Sequence, residues 1–297
     1  MTPTSVPEPF IPRDHNPRRI NALLRAAAAP CAGKVHCFGE IVSTNDWLMA
    51  RSDPHARVCL AELQTAGRGR RGRAWRAPRG SSLLLSLGWR LGDADPAGLS
   101  LTAGLATVAA LRRLGVEAVG LKWPNDLIAP AAPHHNGGKL GGVLTELRRE
   151  HCVIGIGLNV RMPSSSWGDG VYGDDARGDD VCADSMYDDN PRADLGSLGY
   201  DLDRDHLATA VIIACCDYLP RFCARGFAQF VEEWNGLNVH RDQSASVESA
   251  GEAIRGIVRG VDCTGALIIE CDGARRRVIS GEATLRAAQV TPAQVAR

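Results

Sequence analysis

The densest chemistry in the sequence lies between Gln64 and Trp75, where Arg68, Arg70, Arg71 and Arg73 alternate with Gly67, Gly69 and Gly72. Arginine offers a planar, permanently charged fork of donors that suits phosphate and carboxylate. Glycine lets backbone approach an anion closely and adopt positive φ. Three readings fit such a loop: a site for a small phosphorylated ligand, a nucleic-acid patch, or a solvated turn. The glycines satisfy G-x-G-x-x-G, but that fingerprint must open a helix. Here Pro78, Gly80 and a strand-like Ser81–Trp89 run follow instead.

Four further segments carry polar groups at telling places. Lys122-Trp123-Pro124-Asn125-Asp126 sets a cation, an amide and a carboxylate in one turn, as a nucleotide phosphate with a divalent ion would require. Gly137-Gly138-Lys139-Leu140-Gly141-Gly142 resembles a P-loop only superficially. Pro133 stands where the first glycine belongs, and Leu140 where Ser or Thr belongs. What survives is a lysine between glycines, able to touch a ligand. Gly155–Val160 is an apolar run ending in Asn159-Val160. Val42–Trp47 offers Ser43 as a helix N-cap with Asp46 as its capping-box partner. The polar N-terminus of that helix, Ser43-Thr44-Asn45, is also a ligand site in the making.

These segments need a scaffold. Periodicity predicts short strands at 58–63, 81–89, 119–123, 142–147 and 153–160. It predicts helices at 18–29, at 99–114 with Gly115 as C-cap, and from 205 through 234. Residues 1–17 are proline-rich and read as a flexible leader, with one short helix completing the stretch to residue 34. Residues 161–205 crowd aspartate, serine and glycine and read as a mobile acidic insertion. Short β-like runs at 254–259, 266–270 and 277–279 suggest a small antiparallel barrel.

Hydrophobic residues make up 44% and charged residues 23% of the 297, with 34 basic against 34 acidic. This balance excludes a disordered chain and gives no general pull toward nucleic acid or membrane. No run approaches the ~18 consecutive apolar residues of a membrane span, and no signal peptide is evident. A cytoplasmic protein is expected. The ten cysteines lack metal spacing and read as small buried hydrophobes. His134-His135 reads as an exposed turn.

Taken in order, Ser-Thr-Asn, Gln-x-Ala-Gly-Arg-Gly-Arg-Arg-Gly-Arg-x-Trp, Lys-Trp-Pro-Asn-Asp, Gly-Lys-Leu-x-Gly and Gly-x-Asn resemble the biotin–protein ligase family. The likeness is strong over 35–160 and returns at Gly281-Glu282-Ala283-Thr284-Leu285-Arg286. It implies an α+β fold: a class II synthetase-like mixed sheet flanked by helices over 35–240, then an SH3-like barrel over 241–297. It implies two half-reactions. Biotin carboxylate attacks the α-phosphorus of ATP, giving biotinyl-AMP and pyrophosphate. The amine of an acceptor lysine then displaces AMP.

Residue by residue, the resemblance places Arg70 and Lys139 at the reacting carboxylate and α-phosphate. Ser43, Thr44, Asn45, Gln64, Arg68 and Gly69 join them around biotin. Arg70, Arg73, Lys122, Asn125 and Asn159 fall to ATP, and Asp126 to Mg²⁺. ATP with Mg²⁺ is thus the cosubstrate, with no tightly bound metal. The implied partner is a biotin carboxyl carrier protein, and the family's habit of pairing through its central sheet implies a homodimer. Some members carry an N-terminal DNA-binding module. Only 42 residues precede Ser43, so a ligase that does not bind DNA is expected. Lipoate–protein ligase, and a biotin-responsive regulator binding nucleic acid through 67–73, are the alternatives.

Overall fold

A computed structural model describes residues 14–131, 137–163, 192–249 and 252–285. His134-His135, most of the acidic insertion and Arg286 lie outside the described residues. Seven strands form a mixed sheet in the order β1-β2-β3-β7-β6-β5-β4. They are β1 Val35–Phe38, β2 Val58–Ala61, β3 Ser82–Arg90, β4 Gly120–Lys122, β5 Asp126–Ala129, β6 Gly138–Arg148 and β7 His151–Asn159. Only β1 and β2 run parallel; every other neighbouring pair is antiparallel.

Period-two alternation gives the central strands two unlike faces. Leu83, Leu85, Leu87 and Trp89 of β3, with Cys152, Ile154, Ile156 and Leu158 of β7, join the main core. Helices α1 (Pro17–Ala26), α3 (Leu99–Arg113) and α4 (Arg204–Arg225) bury Ile20, Leu24, Leu105, Val108, Val211 and Phe222 in the same core. The alternate residues are Ser82, Leu84, Ser86, Gly88 and Arg90 of β3 and His151, Val153, Gly155, Gly157 and Asn159 of β7. Gly155 and Gly157 bring no side chain to this second face, and the short helix α2 (Thr44–Met49) packs on part of it, through Leu48 with Cys59 and Val153.

The helix ends follow their sequence signals. Asn16 accepts from Arg18 and Arg19 N–H with Pro17 in the first turn of α1. Gly115 N–H and Val116 N–H return to Arg112 and Leu111 carbonyls, closing α3 as its glycine predicts. The long periodic stretch after residue 205 is broken by a 3₁₀ turn, Phe227–Phe230, into α4 and α5 (Val231–Leu237). By length and composition alone α4 could cross a membrane. Here twelve of its residues are buried, Tyr218 stacks on Phe230, and Arg113 of α3 pairs with its Asp217 at 3.2 Å.

The C-terminal strands β8 (Ser244–Ser249), β9 (Glu252–Val261), β10 (Leu267–Cys271), β11 (Ala274–Val278) and β12 (Glu282–Leu285) form one antiparallel sheet ordered β11-β10-β9-β8-β12. It is joined firmly to the rest. Trp123 Nε1 donates to Gly265 carbonyl at 3.0 Å, and Asn235 Oδ1 accepts from Val261 N–H at 2.8 Å. The cysteines are less uniform than expected: Cys31, Cys59, Cys152 and Cys215 are buried, but Cys263 is exposed.

Candidate active site

Ser43 caps α2 as predicted, its Oγ accepting from Asp46 N–H at 3.3 Å. The reciprocal half of the capping box does not form, because the Asp46 carboxylate is taken by Arg68. The two guanidinium nitrogens meet its oxygens at 2.7 and 2.5 Å. That fork holds the Asp46 carboxyl below the usual carboxylate range and pushes Arg68 higher still. The first of the loop's arginines is thus an anchor that ties the loop to α2.

The loop itself is a tight hairpin. Arg68 bridges Ala74, Gly69 N–H donates to Arg73 carbonyl at 2.7 Å, and Trp75 N–H donates to Gly67 carbonyl at 2.9 Å. Glycine is needed here more for room than for positive φ. A Cβ on Gly67 would stand 2.5 Å from Trp75 carbonyl. Positive φ occurs instead at Arg71 and Gly72. The hairpin delivers the Trp75 ring onto β7, where a Cβ on Gly157 would lie 2.6 Å from it. Only glycine at this strand position lets the indole rest on the sheet.

Beside that ring the distant motifs meet. Lys139 Nζ lies 5.9 Å from the Trp75 ring centre and 3.1 Å from Asp126 Oδ1. Its backbone is held from behind by Asn159, whose Nδ2 donates to Ala193 and Lys139 carbonyls at 3.0 and 3.4 Å while Oδ1 accepts from Ser82. Asn125 turns inward and donates to Val143 carbonyl at 2.9 Å. Next to this lies a second polar cluster. Gln64 Oε1 accepts from Thr44 N–H at 2.8 Å, and Asn45 Nδ2 donates to Glu146 at 2.6 Å.

Ser43, Thr44, Asn45, Gln64 and Arg68 therefore form one network, and Lys139, Asp126 and Asn159 a neighbouring one, with Gly69 in the hairpin between. One expected residue, Arg70, reaches toward the C-terminal sheet. Arg70 Nη1 donates to Gly281 carbonyl at 3.2 Å. Arg73 serves the hairpin through its backbone. Lys122 ends β4 beside His240, which burial, and then that lysine's charge, push down to about 4. Sequence reading missed Glu146 and Ser86. Ser86 interrupts the leucines of β3, which was an available signal; Glu146 lies between Thr145 and Leu147 in β6, whose mixed composition gave none.

For a divalent ion the chain offers little of its own. Among the described residues no three His, Cys, Asp or Glu side chains converge. One carboxylate, Asp126, beside the amide of Asn125 fits a Mg²⁺ that arrives with phosphate oxygens and water as its other ligands.

Cations, amides and a small-residue floor on one sheet face define a site for an anionic ligand with a polar head group. The comparisons agree with this. Residues 38–159 match the biotin/lipoate A/B protein ligase family and residues 246–286 the biotin protein ligase C-terminal domain. The chain is 34% identical over 294 residues to the bifunctional ligase/repressor BirA of Salmonella typhimurium, covering 96% of this chain and 82% of that one. It is 44% identical over 128 residues to the biotin–[acetyl-CoA-carboxylase] ligase of Mycobacterium tuberculosis, covering 40% and 46%. The fold matches biotin protein ligase from Aquifex aeolicus in complex with biotin and ATP, with TM-score 0.68, 23% identity, and 86% and 99% of the two chains covered. The chain belongs to the biotin–protein ligase family.

Proposed function

We propose that the chain works as a biotin–protein ligase by the following division of labour. Biotin and ATP give biotinyl-AMP and pyrophosphate, and the biotinyl group then passes to a lysine of the carrier protein of acetyl-CoA carboxylase. The observation that carries the reading is the meeting of three distant motifs at Lys139, Trp75 and Asp126.

Biotin carboxylate is ionised at pH 7, its reference pKa being about 4, so the first step needs no base. Its obstacle is repulsion between an anionic nucleophile and a polyphosphate. Lys139 and Arg70 supply the fixed positive charge, which is most effective where water is scarce. Lys139 must exchange Asp126 for the ligand, which leaves that carboxylate to Mg²⁺. Arg70 must leave Gly281 carbonyl. Thr44, Asn45, Gln64 and Arg68, with Ser43 and Gly69, hold biotin; Arg73, Lys122, Asn125 and Asn159 serve ATP. The hairpin at 67–75 closes over the adenylate and shields it from hydrolysis. For the second step Lys139 lowers the pKa of the incoming lysine, since like charges disfavour its protonated form.

The proposed division is a catalytic unit over 35–240 and an SH3-like unit over 241–297. We place the enzyme in the cytoplasm, as a homodimer that does not bind DNA. Incubation with α-labelled ATP, Mg²⁺ and biotin, lipoate or octanoate tests the reaction. Labelled biotinyl-AMP with biotin alone is expected, and adenylate formed only with lipoate overturns the substrate. Gel filtration tests the dimer, and salt-dependent DNA binding would overturn the last assignment.

A further inference from the structure

We propose that Cys31 and Cys216 form a peroxide-responsive dithiol, which two-electron oxidation closes into a disulfide fastening the turn after α1 onto helix α4.

Geometry carries the inference. Cys31 lies in the turn between α1 and β1, and Cys216 lies within α4, 185 positions further along the chain. Their sulfurs stand 3.4 Å apart. An approach of about 1.4 Å brings them to the length of a disulfide bond. The elements that carry them already pack together: α1 buries Ile20 and Leu24 in the core that α4 enters, and Ala32 and Cys216 lie against the same core. The closed link would therefore fasten the lead-in to edge strand β1 onto a core helix.

The two thiols are unlike, and the difference assigns their roles. Cys216 is only partly buried, whereas Cys31 and the neighbouring Cys215 are fully buried. An oxidant from solvent thus meets Cys216 first. The Cys31 thiol, and then its backbone N–H, donate to the Cys216 sulfur. They hold Cys216 below its ordinary value against the opposing effects of burial and Asp217. The same contact, with burial, raises Cys31, and burial raises Cys215. Since the thiolate is the nucleophile, Cys216 attacks and Cys31 resolves.

The oxidant is hydrogen peroxide. The Cys216 thiolate attacks one peroxide oxygen, the O–O bond breaks, and the second oxygen takes up a proton and leaves as water. The sulfenic acid on Cys216 is then attacked by the Cys31 sulfur. The S–O bond breaks, and hydroxide leaves with the Cys31 proton as a second water. Two thiols lose two electrons and one peroxide gains them. A reducing compartment keeps the pair open at rest, and exchange with a thiol reductant reopens it.

Peroxide titration of the folded full-length protein, followed by alkylation and non-reducing peptide mapping, tests this. A linked Cys31–Cys216 peptide, lighter by two hydrogens and separated by dithiothreitol, is expected. Because the link closes a loop spanning 185 positions of the unfolded chain, Tm should rise by about 5 °C on oxidation. In Cys31→Ser the reaction should stop at a Cys216 sulfenic acid that dimedone captures. In Cys216→Ser, Cys31 should stay reduced. Oxidation of the exposed Cys263 with Cys31 and Cys216 both still alkylatable overturns the proposal. So does a Cys216 that passes to sulfinic acid while Cys31 remains a thiol, or a link that forms only after denaturation.

Discussion

Two segments of this molecule are rich in arginine and differ in what surrounds them. In the hairpin at 67–75 Arg68 is gripped by Asp46 and approached by Glu146, and the backbone closes on itself so that Trp75 reaches the glycine of β7. On β11 Arg275, Arg276 and Arg277 are exposed along the outermost strand of the C-terminal sheet. Arg275 faces Glu270, and Arg277 meets Asp262 and Thr264 in the turn after β9. The difference teaches that arginine count does not make an anion site. Convergence of several elements on one sparsely filled face does, because a charge gains most where solvent is excluded.

The comparison is broken most directly by substitution on both sides. Arg70→Ala and Lys139→Ala should each lower biotin adenylation about 10²–10³-fold, the usual effect of removing one preorganised donor. Arg276→Ala should leave it unchanged. Equal losses at both segments in a labelled-ATP assay would mean that convergence is not what matters.

The seam between the two regions gives the next effect. His240 is buried with its ring pushed down to about 4, whereas the unfolded chain would titrate it near 6.5. The unfolded state therefore binds more protons in that window, so stability is complete above about pH 6.5 and falls as pH drops toward 4. The loss reaches up to about 3 kcal/mol. Denaturant titrations of His240→Gln should show a flatter pH dependence than the parent between these limits.

Two smaller effects sharpen the role of the hairpin. Gly67→Ser forces a side chain against Trp75 carbonyl. It should speed release of preformed biotinyl-AMP about tenfold while initial biotin binding changes less; filter-trapping of labelled adenylate reads this. Unchanged release would end the lid argument. Asp46→Asn removes the charge from a partly exposed pair, so the biotin KM should rise by less than about fivefold.

Much of this was legible in the residues. The periodicity of 99–114 with Gly115 located α3 to within a residue, and the β3 and β7 runs were placed within two residues. Strands β1, β5, β8 and β12 were not legible: β1 and β5 are four residues each, and short runs carry little periodicity against their neighbours. The helix seen from 205 through 234 breaks at Gly226, which closes α4 and which periodicity alone does not reveal. At the site, the arginine-glycine loop and Lys139 announced themselves by type. Glu146 and Ser86 did not, since a lone serine in a leucine-rich strand and a glutamate in a mixed one carry no motif of their own.

By itself the sequence determined the order of the motifs, the kinds of group they bring and the family to which they belong. These depend on residue identity and spacing, which the chain carries directly. Only the tertiary structure decided which arginine anchors, which is turned to the C-terminal sheet, and which carboxylate Asn45 meets. Those partners lie far apart in sequence, Arg70 and Gly281 by 211 residues and Asn45 and Glu146 by 101. The register of a twisted sheet brings them together, and no local pattern encodes it.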